Sequence, residues 1–170
     1  MGNRLHIDNI ILFLEESILF VVISRNLSWE PPVSIVELIP TTVPFFSRRF
    51  GRAITDHCME AMFSFYEPEW INLPVTQALT YIPRYLRAIM DEVPEGSYLT
   101  YFYFVSFVCH LCAKAIGLDR SEIIPQALME AVNILYLRCN TRNHFENLIQ
   151  AAFDYSSQHR EKNSECEVSK

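Results

Sequence analysis

Apolar residues recur three and four positions apart along most of the chain, the period of a helix with one buried face. Ile7, Ile10, Ile11, Leu14, Ile18, Val21 and Val22 predict a first helix from Asp8 to about Asn26, with Asp8 as N-cap. Leu12, Phe13, Leu19, Phe20 and Ile23 widen its apolar stripe beyond one face, so it is either buried on most sides or meets a partner. Trp29-Glu30-Pro31-Pro32 should close it, and Pro40 and Pro44 make the stretch from Val33 to Pro44 irregular. A second helix is expected from about Phe45 to Phe65, with Phe46, Phe50, Ile54, Cys58, Met62 and Phe65 in phase and Glu67-Pro68-Glu69 ending it. Leu79, Ile82, Leu86 and Ile89 mark a weaker one over Thr76 to Met90, where Pro83 is expected to split the pattern.

Tyr98 to Ile116 is the most apolar stretch and Gly117 its natural stop. Ser121 is placed to cap a helix from about Glu122 to Cys139, with Pro125 in the first turn, where a missing N–H costs nothing. Phe145, Leu148, Ile149, Ala152 and Phe153 give a last short amphipathic helix, and from Ser156 the chain is a polar, frayed tail. A helix apolar on every side must be wrapped by others. The expected fold is therefore all-α, a bundle of about seven or eight helices with Tyr98–Ile116 at its centre: one domain over 1–155 and a disordered tail over 156–170. The central helix is just long enough to pass as a membrane span, but His110 and Lys114 within it favour a buried core helix.

Composition sharpens this. Of 170 residues, 50% are apolar and 20% charged, which excludes a disordered chain. The net charge of −6 argues against a general nucleic-acid binder. Gly2, Gly51, Gly96 and Gly117 are too scattered for a dinucleotide fingerprint or a P-loop. Gly2 invites N-myristoylation, yet His6 stands where that motif wants Ser or Thr. Cys58, Cys109, Cys112, Cys139 and Cys166 are odd in number and no signal peptide precedes them, so a reducing compartment with packed thiols is expected.

The candidate chemistry is thin. Cys109-His110-Leu111-Cys112 looks like half of a zinc site, with Cys139 and His144 as the only further ligands. On a helix, however, His110 points about 100° away from its neighbours. The same divergence separates His57 from Cys58 and defeats a thiol–imidazole pair. Asp91-Glu92 and Glu67/Glu69 are carboxylates paired only in sequence, and no nucleophile elbow occurs. No enzyme, cofactor or metal is expected. Arg48, Arg49, Arg52, Arg84 and Arg87 form either a solvated face or a positive rim beside an apolar groove.

Read in order, the segments from about Ile7 to Phe153 resemble the B-cell lymphoma 2 (Bcl-2) family of apoptosis regulators. Ile7-Asp8-Asn9-Ile10-Ile11 with Ser28-Trp29-Glu30 resembles the family's first helix and its exit. Phe46-Ser47-Arg48-Arg49-Phe50 resembles its second helix, after the BH3 region. The run from Val93-Pro94-Glu95-Gly96-Ser97 to Phe104 sits where the family has Asn-Trp-Gly-Arg and its apolar central helix. Asn143-His144-Phe145-Glu146-Asn147-Leu148 resembles the start of the homology-2 region. Two departures stand out. Ser97 replaces the arginine that pairs the ligand's aspartate, and Val43-Pro44 replaces the internal Gly-Asp of the donor helix.

The resemblance implies a Bcl-2-like helical bundle of the acceptor, pro-survival type, and it suits a viral or distant invertebrate member. It implies an inhibitor of apoptosis that sequesters a narrow subset of pro-apoptotic BH3 helices in a hydrophobic groove, each helix inserting anchors at i, i+4, i+7 and i+11. The groove would comprise Phe46, Phe50, Ile54, Leu86, Ile89, Gly96, Leu99, Thr100 and Phe104, although ordinary core packing is the plainer reading of each apolar residue alone. Arg48, Arg49, Arg52, Arg84 and Arg87 are candidates to replace the missing arginine. The alternatives are a Bcl-2-fold structural or immune-modulating protein without BH3 binding, and a membrane-inserting helical protein. The expected location is cytoplasmic, or peripheral at mitochondria, without a transmembrane anchor. Phe20, Val21, Val22 and Ile23 cannot all face one interior, so a homodimer through the first helix is also expected.

Overall fold

A computed structural model describes residues 4–30, 45–58, 73–91 and 96–168, the side chains at 58, 89 and 159–168 excepted. The expectations for the Val33 to Pro44 stretch, for the second helix beyond Cys58 and for the Glu67-Pro68-Glu69 stop fall outside these residues. Six α-helices occur among the described residues: α1 (Ile7–Ser24), α2 (Arg48–Cys58), α3 (Val75–Asp91), α4 (Tyr98–Gly117), α5 (Ile124–Arg138) and α6 (Arg142–Val168). A 3-10 turn, Ser121–Ile123, precedes α5. Arg4 and Thr141 form an isolated antiparallel bridge, and no strand occurs among the described residues.

The central position of α4 is as expected. It packs against α1, α2, α5, α6 and the 3-10 turn. Residues 104–113 are all buried, almost three turns, so every side of the helix is covered there. The helix is long and apolar enough to cross a membrane; here its neighbours bury most of it. On one flank α2 lies on α1, α4 and α6, and on the other α3 lies on α5 and the 3-10 turn.

Phenylalanines lock the first flank. The Phe13 ring of α1 lies 5.1 Å from Phe50 of α2 and 5.1 Å, edge-on, from Phe145 of α6. Phe50 in turn lies 6.2 Å from Phe102 of α4. Offset and edge-on aromatic pairs stabilise by about 0.5–1.5 kcal/mol each beyond their buried area.

The helix ends depart from expectation, for local reasons. His6, not Asp8, caps α1: its Nδ1 accepts the Asp8 N–H at 3.2 Å. Ahead of α2, the Ser47 hydroxyl accepts the Phe50 N–H, which delays the start to Arg48. α1 ends before the prolines, because Asn26 takes a left-handed φ of 59° and Leu27 N–H reaches back to the Val22 carbonyl. Asp119 does the same after α4 at φ 59°, so it and not Gly117 supplies the turn. Ser121 opens the 3-10 turn rather than capping α5, while Pro125 sits in the first turn of α5 as expected. Pro83 does not split α3. Ala78, Ile82, Leu86 and Met90, four residues apart, are all buried and hold the helix through the proline. Where a polar, frayed tail was expected from Ser156, α6 runs on to Val168, with neither Gly nor Pro to stop it.

Part of the wide apolar face of α1 is buried within the chain: Val21 and Val22 are fully buried, Phe20 is half-buried against Phe46, and Ile23 is 61% exposed.

The seam between α1 and α2 needs a glycine. A Cβ on Gly51 would lie 2.7 Å from Cγ of Phe20 and under 3.0 Å from two further ring atoms. Gly51→Ala is expected to lower stability by about 1–3 kcal/mol through overpacking. Adding Phe20→Ala should recover part of that loss, a non-additivity that urea denaturation of the four variants of the cycle measures directly.

Candidate functional site

The residues expected to line a groove separate into two groups. Phe50, Ile54 and Leu86 are fully buried and Phe104 nearly so. Phe50 contacts Phe13, Phe46 and Phe102, so the structure commits it to the α1–α2–α4 core. The plainer reading, core packing, describes these four as they stand. Phe46 is half-buried against Phe20 and Phe50. Leu99 is 42% exposed and Thr100 half-buried, both on the first turn of α4. The side chain of Ile89 lies outside the described set.

Gly96 has a structural task of its own. Its φ is +78°, a conformation other residues rarely adopt, and it turns the chain into α4. Ser97 follows as N-cap residue, and its hydroxyl lies 2.7 Å from that of Thr100. The position at which the resemblance implied an arginine thus holds a short polar pair at a helix N-terminus, with no cation.

The five arginines differ in their engagement. Arg49 stacks on Phe153 of α6, its Cζ 4.0 Å from the ring centroid. Arg87 donates through two nitrogens to the carboxylate of Glu130 on α5. Arg48, Arg52 and Arg84 are exposed and make no ion pair among the described residues. Arg84 lines a cavity of about 440 Å³ together with Leu73, Thr76, Gln77, Thr80 and Tyr81. The Tyr81 and Tyr85 rings stack beside it at 5.6 Å, and Tyr85 meets Phe107 of α4 at 6.0 Å. Gln77 and this tyrosine pair drew no attention in sequence; only their spacing on one helix could have flagged them.

Elsewhere the reactive side chains are used in packing. Cys109, Cys112 and Cys139 are free and buried, and burial pushes the thiols of Cys112 and Cys139 up to about 12. Neither is a thiolate at neutral pH, so neither serves as nucleophile or ready metal ligand. No group of metal-binding side chains occurs among the described residues. His57 is buried with its ring stacked on Tyr103 at 4.5 Å and edge-on to Tyr155. His110 accepts a hydrogen bond from Arg25 through Nδ1 at 2.9 Å, which ties the end of α1 to the core helix.

No protein-family model, curated protein or solved structure matches the chain.

Glu15 is the titratable group with the clearest consequence. It lies on the buried side of α1, and its Oε1 has no hydrogen-bond partner among the described residues. Burial first, and Glu16 second, raise its carboxyl from 4.5 to about 7. Between those values the folded state keeps a proton that the unfolded state has released. Stability therefore falls as pH rises through this window, and the loss is complete above about 7. Glu15→Gln should flatten the decline and gain roughly 1–2 kcal/mol at pH 8, after allowance for partial solvent access. Thermal melts of parent and variant from pH 5 to pH 8 test this; parallel curves would refute it.

Proposed function

We propose that this chain is a divergent, pro-survival-type member of the Bcl-2 family that holds a pro-apoptotic BH3 helix on its surface. The observation that carries the reading is the arrangement around α4. One apolar helix is wrapped by amphipathic ones, α2 and α3 pack on different neighbours, and the first turn of α4 stays accessible at Leu99 and Thr100. An amphipathic helix laid against such a surface gains affinity by burying apolar anchors. Since Ser97 offers no cation, those anchors carry most of the binding and the range of partners is narrow. The complete burial of Phe50, Ile54 and Leu86 favours a second reading, the same fold used as an interaction module without BH3 binding.

Titration of synthetic BH3 peptides against the full chain separates the two. The informative variant is Thr100→Glu. Glutamate three residues after Ser97 completes a capping box and complements the positive end of the helix dipole, so the fold should tolerate it. A bulky charge at the first turn of α4 should nevertheless weaken peptide binding at least tenfold, by about 1.4 kcal/mol or more. Circular dichroism checks the folding. Unchanged affinity in a folded variant would remove Thr100 from the groove, and a parent that binds no BH3 peptide would leave the second reading.

A further inference from the structure

We infer that the outer seam between α2 and α6, which carries Arg48, Arg49, Arg52 and Arg142, is a docking face for the anionic headgroups of a lipid bilayer. Nothing in it requires a BH3 ligand.

Ring contacts define the seam. Phe45, just ahead of α2, lies 5.4 Å from Phe145 in the first turn of α6, and the Cζ of Arg142 stands 5.8 Å from the Phe45 ring. Further along both helices Arg49 lies over Phe153 at 4.0 Å, and near the end of α2 His57 meets Tyr155 at 5.3 Å. The two helices therefore run side by side in the same sense. Arg48 and Arg52 add one more turn of positive charge to the outer side of α2, and all four arginines are exposed.

This charge is uncompensated. Asp56 follows Arg52 by four positions and Glu146 follows Arg142 by four, spacings at which an ion pair can close, yet neither closes, and none of the four arginines has an ion pair among the described residues. Four cations thus stand against two exposed carboxylates in a chain whose net charge is −6. An anionic surface attracts this face and repels most of the remainder, which selects one orientation.

The layout suits headgroups better than a single acidic peptide. The cations are spread over two helices, so a peptide carboxylate would reach one or two of them, whereas mobile lipid headgroups can meet each. Half-buried Phe45, Phe46 and Phe153 lie between and beneath the guanidiniums. Aromatic surface beside arginine is the combination that settles at the headgroup level of a bilayer. Docking in this way leaves α4 in its place at the centre of the bundle.

Sedimentation of the full chain with vesicles tests the assignment. The probes are vesicles of phosphatidylcholine alone and of phosphatidylcholine with about a third phosphatidylserine. The chain is expected to sediment with the anionic vesicles at low salt and not with the neutral ones. At about 0.5 M salt, where the screening length falls to roughly 4 Å, it should be released. Arg48→Gln and Arg52→Gln should each weaken binding about fivefold, and Arg84→Gln on α3 should leave it within twofold. Glu146→Gln removes a repulsive carboxylate and should strengthen binding, a gain that damage to the fold would not produce. Circular dichroism checks each variant. The inference is overturned if neutral and anionic vesicles are bound alike, or if binding survives high salt, as insertion of apolar helix would. It is equally overturned if Arg84→Gln costs as much as Arg48→Gln and Arg52→Gln, or if Glu146→Gln brings no gain. Binding of soluble polyglutamate without binding of anionic vesicles would make the partner an acidic protein and exclude the bilayer.

Discussion

The aromatic contact of Phe13 with Phe50 and Phe145 is the constraint from which the rest of the arrangement follows. It fixes α1, α2 and α6 to one another, and through Phe50 and Phe102 it fixes all three to α4. A fully buried phenylalanine leaves no room for sliding, because protein interiors are packed at crystal density. Removal of such a ring typically costs about 3–5 kcal/mol, a large share of the 5–15 kcal/mol that separates folded from unfolded domains. The α1–α2–α6 side is consequently the stiff half. α3 is attached differently, by its own apolar row, by Arg87 to Glu130, and by backbone carbonyls at its two ends: Arg120 donates to that of Leu73 and Arg138 to that of Met90.

This division bears on recognition. A side chain that holds two helices together cannot also meet a ligand without separating them. Phe50 and Ile54 serve the stiff half, so the surface left for a partner on that side is the charged outer face of α2, at Arg48 and Arg52. On α3 the buried row faces the core, Tyr81 and Tyr85 pack half-buried beside it, and Gln77, Arg84 and Ala88 are exposed. Buried and solvent-facing positions are thus shared out along one helix by its period of about 3.6 residues.

The fold was largely legible because it depends on periodicity. The all-round apolarity of Tyr98–Ile116 identified the central helix, and the three-and-four spacing located its neighbours. What periodicity does not encode are the ends. Asn26 and Asp119 stop helices through left-handed backbone conformations, and these depend on a single residue rather than a pattern. The effect of Pro83 was not legible for the opposite reason, since its local penalty is outweighed by four buried neighbours that only the tertiary structure assembles. The candidate site was less legible still. Phe50, Ile54, Leu86 and Phe104 carry the same apolar signal whether they meet a ligand or each other, and a sequence cannot say which side of a helix faces solvent once both sides are apolar.

The placement of charge completes the argument. A cation at position 97 would sit at the N-terminus of α4, where the unpaired N–H groups already carry about half a positive charge. Such a site is costly to maintain and is repaid only when a carboxylate occupies it. This chain puts a serine there, its hydroxyl hydrogen-bonded to that of Thr100. Arg84 lies in the interior of α3, where neither end of the dipole opposes or assists a charge, and it is already solvated. The free protein therefore gives up little by keeping a cation at that position.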